Sequence, residues 1–222
     1  MKIREESTLE RVNAFSDGVF AIIITIMVLE LKKPENATFH SLFQLWPTWI
    51  SYAASYLFIA IVWVNHHYLL KHASSATQRL LWANFGHLFS VSMIPFLTTW
   101  VAETILAPIP VALYALVFFL VNITYLALVW EILCDKRSRE LASSSRRLLN
   151  VRSFITLSTF LVAAGISFWW PYVGFVLVCC CLLLYLKPEL PGMKMSTRTM
   201  IKRTQNLRSI KYKQLKHTRL GK

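Results

Sequence analysis

Charged residues make up only 16% of this 222-residue chain, and acids are the scarcer sign, 11 Asp and Glu against 24 Lys and Arg, for a net charge of +13. The longest apolar runs contain almost none of that charge, which excludes an ordinary soluble domain. Cysteine is sparse: Cys179, Cys180 and Cys181 are consecutive inside an apolar run and Cys134 stands at the edge of another. That usage predicts free thiols and excludes a disulfide scaffold. Metal-ligand spacing is missing as well. His66 and His67 are adjacent and so point about 100° apart on a helix; no Cys or acid adds ligands at a recognised spacing, and no metal or cofactor is expected. The stretch MKIREESTLER is of mixed charge and no A-x-A site follows the first apolar run, so that run is expected to stay as a membrane span rather than to be cleaved as a signal peptide.

What the chain does have is hydrophobicity, at 55% apolar and 14% aromatic residues with a mean hydropathy of +0.48. Runs long enough to cross a hydrocarbon core of about 30 Å occur at about 15–31, 49–70, 80–101, 110–133, 153–170 and 172–187. The pattern predicts an all-α integral membrane protein with six transmembrane helices in residues 1–189 and a basic tail in 190–222. Pro95 falls inside the third run, where it frees a backbone carbonyl and kinks the helix. Pro108 and Pro110 separate the third run from the fourth, and a tight Trp170-Pro171 turn joins the last two. With six spans, 22 Lys and Arg fall on the side of the two termini and 2 on the other. Both termini are therefore expected to face the cytoplasm, in a multi-pass protein of the cell membrane.

Depth along the helices brings polar residues to one level. Asp17 lies about one turn inside the first span, and the second span carries Trp63, Asn65, His66 and His67 to the same side just before Lys71, where the third starts with Arg79, Trp82 and Asn84. An ionisable side chain inside a span usually faces protein and pairs. Two readings fit Asp17: a carboxylate capping the start of its helix, with His66 and His67 as interfacial residues, or a member of a polar layer that clamps helices together.

The residues carry a resemblance. R-x-x-x-F-S-D at Arg11, Phe15, Ser16 and Asp17, W-x-x-H-H at Trp63, His66 and His67, then LLWAN and a later Pro-Phe at Pro95 and Phe96, resemble the transmembrane protein 175 family of potassium channels over the first three helices. The last three helices and the tail offer no motif to check. The resemblance implies a homotetramer whose four first helices line a central pore for K+, with the R-x-x-x-F-S-D residues bonded to the Trp and His of neighbouring helices as a clamp on the pore helix. It also implies a constriction on that helix, narrowest at Ile22, with Thr25 just above it and Ile26 and Leu29 further out. Spacing agrees, since Ile22, Thr25, Ile26 and Leu29 share one helix face that Gly18 extends. A ring of isoleucines gates by size and dewetting, and Thr25 hydroxyls supply weak coordination.

Nothing in the chain reads TVGYG and no span carries an arginine ladder, so neither a carbonyl filter nor a voltage sensor of that type is expected. Glu30, near the outer end of the first helix, has Lys32 and Lys33 beside it, and that neutralisation weakens any steering of cations. Two other classes are weighed. A proton-coupled cation transporter uses Asp17, His66 and His67 as a relay, but no Gly-Pro interruption or inverted repeat accompanies them. An intramembrane enzyme has only Ser16 of the same layer as a nucleophile, with no obvious substrate site. The tail from Leu190 holds ten Lys or Arg and no acid, which suits anionic lipid heads on the cytoplasmic leaflet. Nucleic acid is not expected as a partner, because no module for base readout accompanies the charge. Six further cations between Lys136 and Arg152 fit positive-inside topology alone.

Overall fold

The computed structural model describes the backbone of residues 2–73, 75–134 and 142–185, and side chains of residues 8–73, 75–132 and 153–183. The basic tail, the side chains of the cationic segment 136–152 and that of Cys134 lie outside the described residues. Within them the regular structure is helical: α1 (Lys2–Leu29), α2 (Phe39–Gln44), α3 (Trp46–Leu70), α4 (Gln78–Ser92), α5 (Ile94–Glu103), α6 (Pro108–Cys134), α7 (Ala142–Ser167) and α8 (Pro171–Tyr185). Four stretches are long and apolar enough to cross a membrane, at Thr8–Leu29, Trp46–Leu70, Gln78–Glu103 and Pro108–Ile132. They match the first four predicted spans. The apolar parts of α7 and α8, Ser153–Ser167 and Pro171–Leu183, are shorter.

Proline sets where helices begin. It lies in the first turn of α3 and α5 and is the first residue of α6 and α8, positions where its fixed φ is helical and its missing N–H would be unpaired anyway. Pro95 therefore does more than kink the third span. The span divides at Met93 into α4 and α5, and the proline opens the second piece. Threonine supplies two other starts: Thr38 Oγ1 accepts the Ser41 N–H at 3.2 Å and Thr77 Oγ1 accepts the Leu80 N–H at 3.1 Å, each capping a donor with no partner in the helix.

The turn after α5 is sharp. Leu106 N–H donates to the Val101 carbonyl at 3.0 Å and Ile105 N–H to that of Ala102 at 3.3 Å, the paired bonds of a Schellman cap. Such a cap wants glycine, yet Ile105 and Leu106 hold φ of 51° and 56°. A β-branched residue in this region is strained by about 1–2 kcal/mol. Leu106 is buried beside the buried Val101, so the apolar contact that accompanies the cap offsets the backbone strain.

Helix α6 is the hub, packing on α4, α5, α7 and α8, while α1 lies against α3, α4 and α5. Phe58 of α3 and Phe118 of α6 stack at 3.9 Å, and Phe160 of α7 meets Phe118 edge-on at 5.7 Å. Lipid is as apolar as these rings, so the gain is dispersion and shape rather than escape from water. Polar ties supplement it. The Ser55 hydroxyl lies 2.6 Å from Thr98 Oγ1 and 2.7 Å from Tyr114 Oη, all buried, joining α3, α5 and α6.

Candidate functional site

Helix α1 carries two unlike faces. Ser16, Phe20, Ile23 and Met27 are buried against the bundle, whereas Gly18, Ile22, Thr25, Ile26 and Leu29 are exposed, Ile22 to 59% and Leu29 to 83%. The four residues predicted to share a stripe do so, and the protomer leaves that stripe uncovered. Thr25 Oγ1 donates its hydrogen to the Ile22 carbonyl at 2.8 Å. Its oxygen lone pairs are then the part available on the exposed face.

Near the N-terminal part of α1 the polar residues assemble in two branches, because consecutive residues Ser16 and Asp17 point in directions about 100° apart. In the half-exposed branch, Trp63 Nε1–H donates to Asp17 Oδ1 at 2.8 Å, and His67 Nδ1 stands 3.9 Å from Asp17 Oδ2. The Trp63 and His67 rings stack at 5.6 Å, and the Asn13 amide reaches within 3.5 Å of His67 Nδ1. In the buried branch, Ser16 Oγ–H donates to the Val12 carbonyl at 2.9 Å and accepts from Asn84 Nδ2 at 3.0 Å. Asn84 Oδ1 lies 2.7 Å from His66 Nε2. A carbonyl oxygen only accepts, so the order of donors is fixed from Val12 back to His66 Nε2–H. The Ser16 proton is committed to a backbone carbonyl, which is the opposite of an activated nucleophile.

The structure thus joins Ser16, Asp17, Trp63, His66, His67 and Asn84 from three helices. Arg11 of the predicted set is exposed, and Phe15, 53% exposed, meets Phe85 of α4 edge-on at 5.7 Å. Arg79 and Trp82 also face outward. Three members were missed from sequence. Asn13 sits one turn before Asp17. His87 stacks on His66 with ring centroids 5.6 Å apart and planes 10° from parallel, and its Nδ1 is 3.1 Å from Thr124 Oγ1 on α6. Asn84 and His87 are three apart and so share a face of α4, a spacing that signals the site; nothing local marks Thr124.

Beyond the C-terminal end of α1, Lys32 is shared between two acids. Lys32 is paired with Glu103 at the end of α5, so its charge is not spent on Glu30 alone. The hydrogen bond and charge of Glu103 hold the Lys32 ammonium above its ordinary pKa, and Glu30 adds to this. Between α1 and the α4–α5 pair runs a groove of about 610 Å³ whose walls include Ile22, Ile26, Glu30, Phe96, Trp100 and Glu103. It opens beside the uncovered stripe.

Comparison with known proteins places this geometry among others. A family model described as the endosomal/lysosomal potassium channel TMEM175 matches residues 11–95. A protein from Chryseobacterium sp. (strain P1-3) named as a potassium channel is 34% identical over 183 residues, covering 82% of this chain and 94% of that one. A Danio rerio protein named as the endosomal/lysosomal proton channel TMEM175 is 32% identical over 103 residues, 41% of this chain and 20% of its own length. The crystal structure of a lysosomal potassium-selective channel TMEM175 homolog from Chamaesiphon minutus superposes with a TM-score of 0.66 at 26% identity, covering 81% of this chain and 97% of that one. These relatives are named as ion channels, not as enzymes.

Proposed function

This chain belongs to the TMEM175 family of potassium channels, and on that premise we propose that it is a multi-pass membrane protein that passes potassium passively through a pore lined by α1. The observation that carries the reading is the uncovered face of α1. Only 22% of its most apolar window is buried in the protomer, the least of the four long spans, and the exposed residues include Gly18, Ala21, Ile22, Thr25, Ile26 and Leu29. Four copies around one axis would turn that face inward, and the groove beside it would receive the neighbouring copy. In this assembly α7 and α8 complete six spans with both termini cytoplasmic, as the 22 to 2 division of Lys and Arg favours.

Ile22 is the dewetting gate, since rings of aliphatic side chains give an ion nothing in exchange for its hydration shell. Thr25, with its hydrogen held by the Ile22 carbonyl, offers lone pairs to a partly dehydrated cation and carries the preference for potassium. The inner layer acts as the clamp: Asp17 and Ser16 hold α1 to α3 and α4 so that the stripe keeps its orientation. The basic tail rests on anionic lipid heads.

A second reading is favoured by one contact, Asp17 against His67 at 3.9 Å. In it, Asp17, His66 and His67 couple cation movement to protons. Flux from liposomes separates the two. A passive channel gives potassium efflux that exceeds sodium efflux under an equal gradient and persists with a proton uncoupler; flux only with a counter-moving proton selects the coupled transporter.

A further inference from the structure

Helix α2 is six residues long and none of them is buried. Phe39 and Phe43 stand 81% and 74% exposed, and Leu42 is exposed between them. At about 100° per residue these three fall on one side of the helix, and His40, Ser41 and Gln44 fall on the other. Gln44 Nε2 lies 3.1 Å from His40 Nε2, so the polar side bonds to itself. Residues 36–50 include no Lys, Arg, Asp or Glu. A helix this short is marginal in water, and phenyl rings left in water forgo the gain from burial.

What covers the apolar side follows from where α2 is attached. Leu45 ends α2 and opens α3, so the short helix joins a membrane span directly. That span has 25 residues and is about 37 Å long, more than the ~30 Å of hydrocarbon, which brings its ends to the level of lipid headgroups. Trp46 and Trp49, in its first turn, are both exposed, and indoles favour that level. A second element marks the same end of the bundle. Tyr114 of α6 stacks on Phe175 of α8 at 5.9 Å and its Oη lies 2.7 Å from Ser55 Oγ of α3, each residue in the first half of its helix, so α3, α6 and α8 start together. There the turn before α8 exposes Trp169 and Trp170.

We infer that α2 lies in the plane of the membrane at that end, with Phe39, Leu42 and Phe43 sunk into the boundary between phospholipid headgroups and acyl chains. The occupant is lipid rather than a second copy of the chain. Helices that pack on helices in a bilayer present small residues; α1 has Gly18 and Ala21, and the apolar side of α2 has none. Headgroup charge plays no part, because the segment carries no cation to meet an anionic head. This sets α2 apart from the basic tail, whose partner is anionic lipid. Residues 30–38 connect the end of α1 to α2, so the anchored helix tethers that end of α1 to the membrane surface. The inference needs only that the chain crosses a bilayer, and it stands whichever ion α1 conducts.

The test is photo-crosslinking of the full chain with p-benzoylphenylalanine replacing Phe39, Phe43 or Gln44 in turn, in vesicles of phosphatidylcholine alone and of phosphatidylcholine mixed with phosphatidylglycerol. The substituted positions are exposed, so the fold is kept. Expected after irradiation are chains heavier by one phospholipid for positions 39 and 43, in equal yield in both vesicles, and little or no such product for position 44. Products that join two copies of the chain through 39 or 43 would overturn the inference in favour of a subunit contact. The absence of any adduct at both positions would overturn it in favour of a face left in water. Lipid adducts as abundant at 44 would remove the sidedness of the helix, and a yield that rises with phosphatidylglycerol would replace apolar insertion by charge; either result overturns it as well.

Discussion

Helices α1 and α6 are both apolar enough in sequence to cross a membrane, yet the fold treats them oppositely. About 44% of the most apolar window of α6 is buried and only 22% of that of α1. Their exposed faces differ in kind as well. α6 shows Leu113, Leu116, Leu120, Ile123 and Trp130, bulky groups suited to lipid chains with an indole for the interface. α1 shows Phe15, Ile22, Ile26, Val28 and Leu29 as well, but sets Gly18, Ala21 and Thr25 among them, small and hydroxyl side chains that let other helices or a hydrated ion come close. Hydropathy identifies a span; the surroundings decide whether it faces lipid or a partner.

The largest effect should come from making one change on each face. Ile22→Asn should raise potassium leak from liposomes on the order of tenfold by wetting the ring, while Leu116→Ala on α6 leaves flux unchanged. Equal responses would erase the distinction between the faces. Next is the anchoring of α1. Asn84→Leu leaves both Ser16 and His66 without their partner and should lower stability by about 2–4 kcal/mol in chemical denaturation, with loosened oligomers on sizing. Asp17→Asn turns a charge-assisted bond from Trp63 into a neutral one in a half-exposed position, and a loss of about 1 kcal/mol is expected. A variant of unchanged stability but altered conduction would move Asp17 from the clamp into the ion path.

The opposite end of the bundle supplies smaller effects. Ile105→Gly relieves the positive φ at the α5 cap and should raise stability by about 0.5–1 kcal/mol after the added freedom of the unfolded chain is counted; destabilisation would mean that the Ile105 side chain has a role of its own. Lys32→Ala should have the least effect, because its pair with Glu103 is exposed and screened. The raised folded pKa of Lys32 means that whatever the pair contributes is present at neutral pH and is lost as pH climbs through the alkaline range. Molar salt should abolish the difference between Lys32→Ala and the parent chain.

Much of the candidate site could be read in advance. Arg11 to Asp17 and Trp63 to His67 lie in contiguous motifs, and depth along antiparallel helices places both at one end of the bundle, since rise per residue is fixed. Sequence did not say that Ser16 and Asp17 serve different branches, or that Arg11 and Arg79 stay outside. Those outcomes depend on how α1 rotates about its own axis. From Val19 to Leu29 the helix is apolar but for Thr25, so periodicity alone does not announce its rotation.

Composition and charge by themselves determined that this is a membrane protein, where its four long spans run and which motif it carries, because hydrocarbon imposes length and apolarity on each span separately. Only the tertiary structure decided that His66 faces His87 rather than Asp17 and that Lys32 reaches across to Glu103. Each is a contact between helices, and in lipid such contacts follow from shape and a few hydrogen bonds rather than from hydrophobicity.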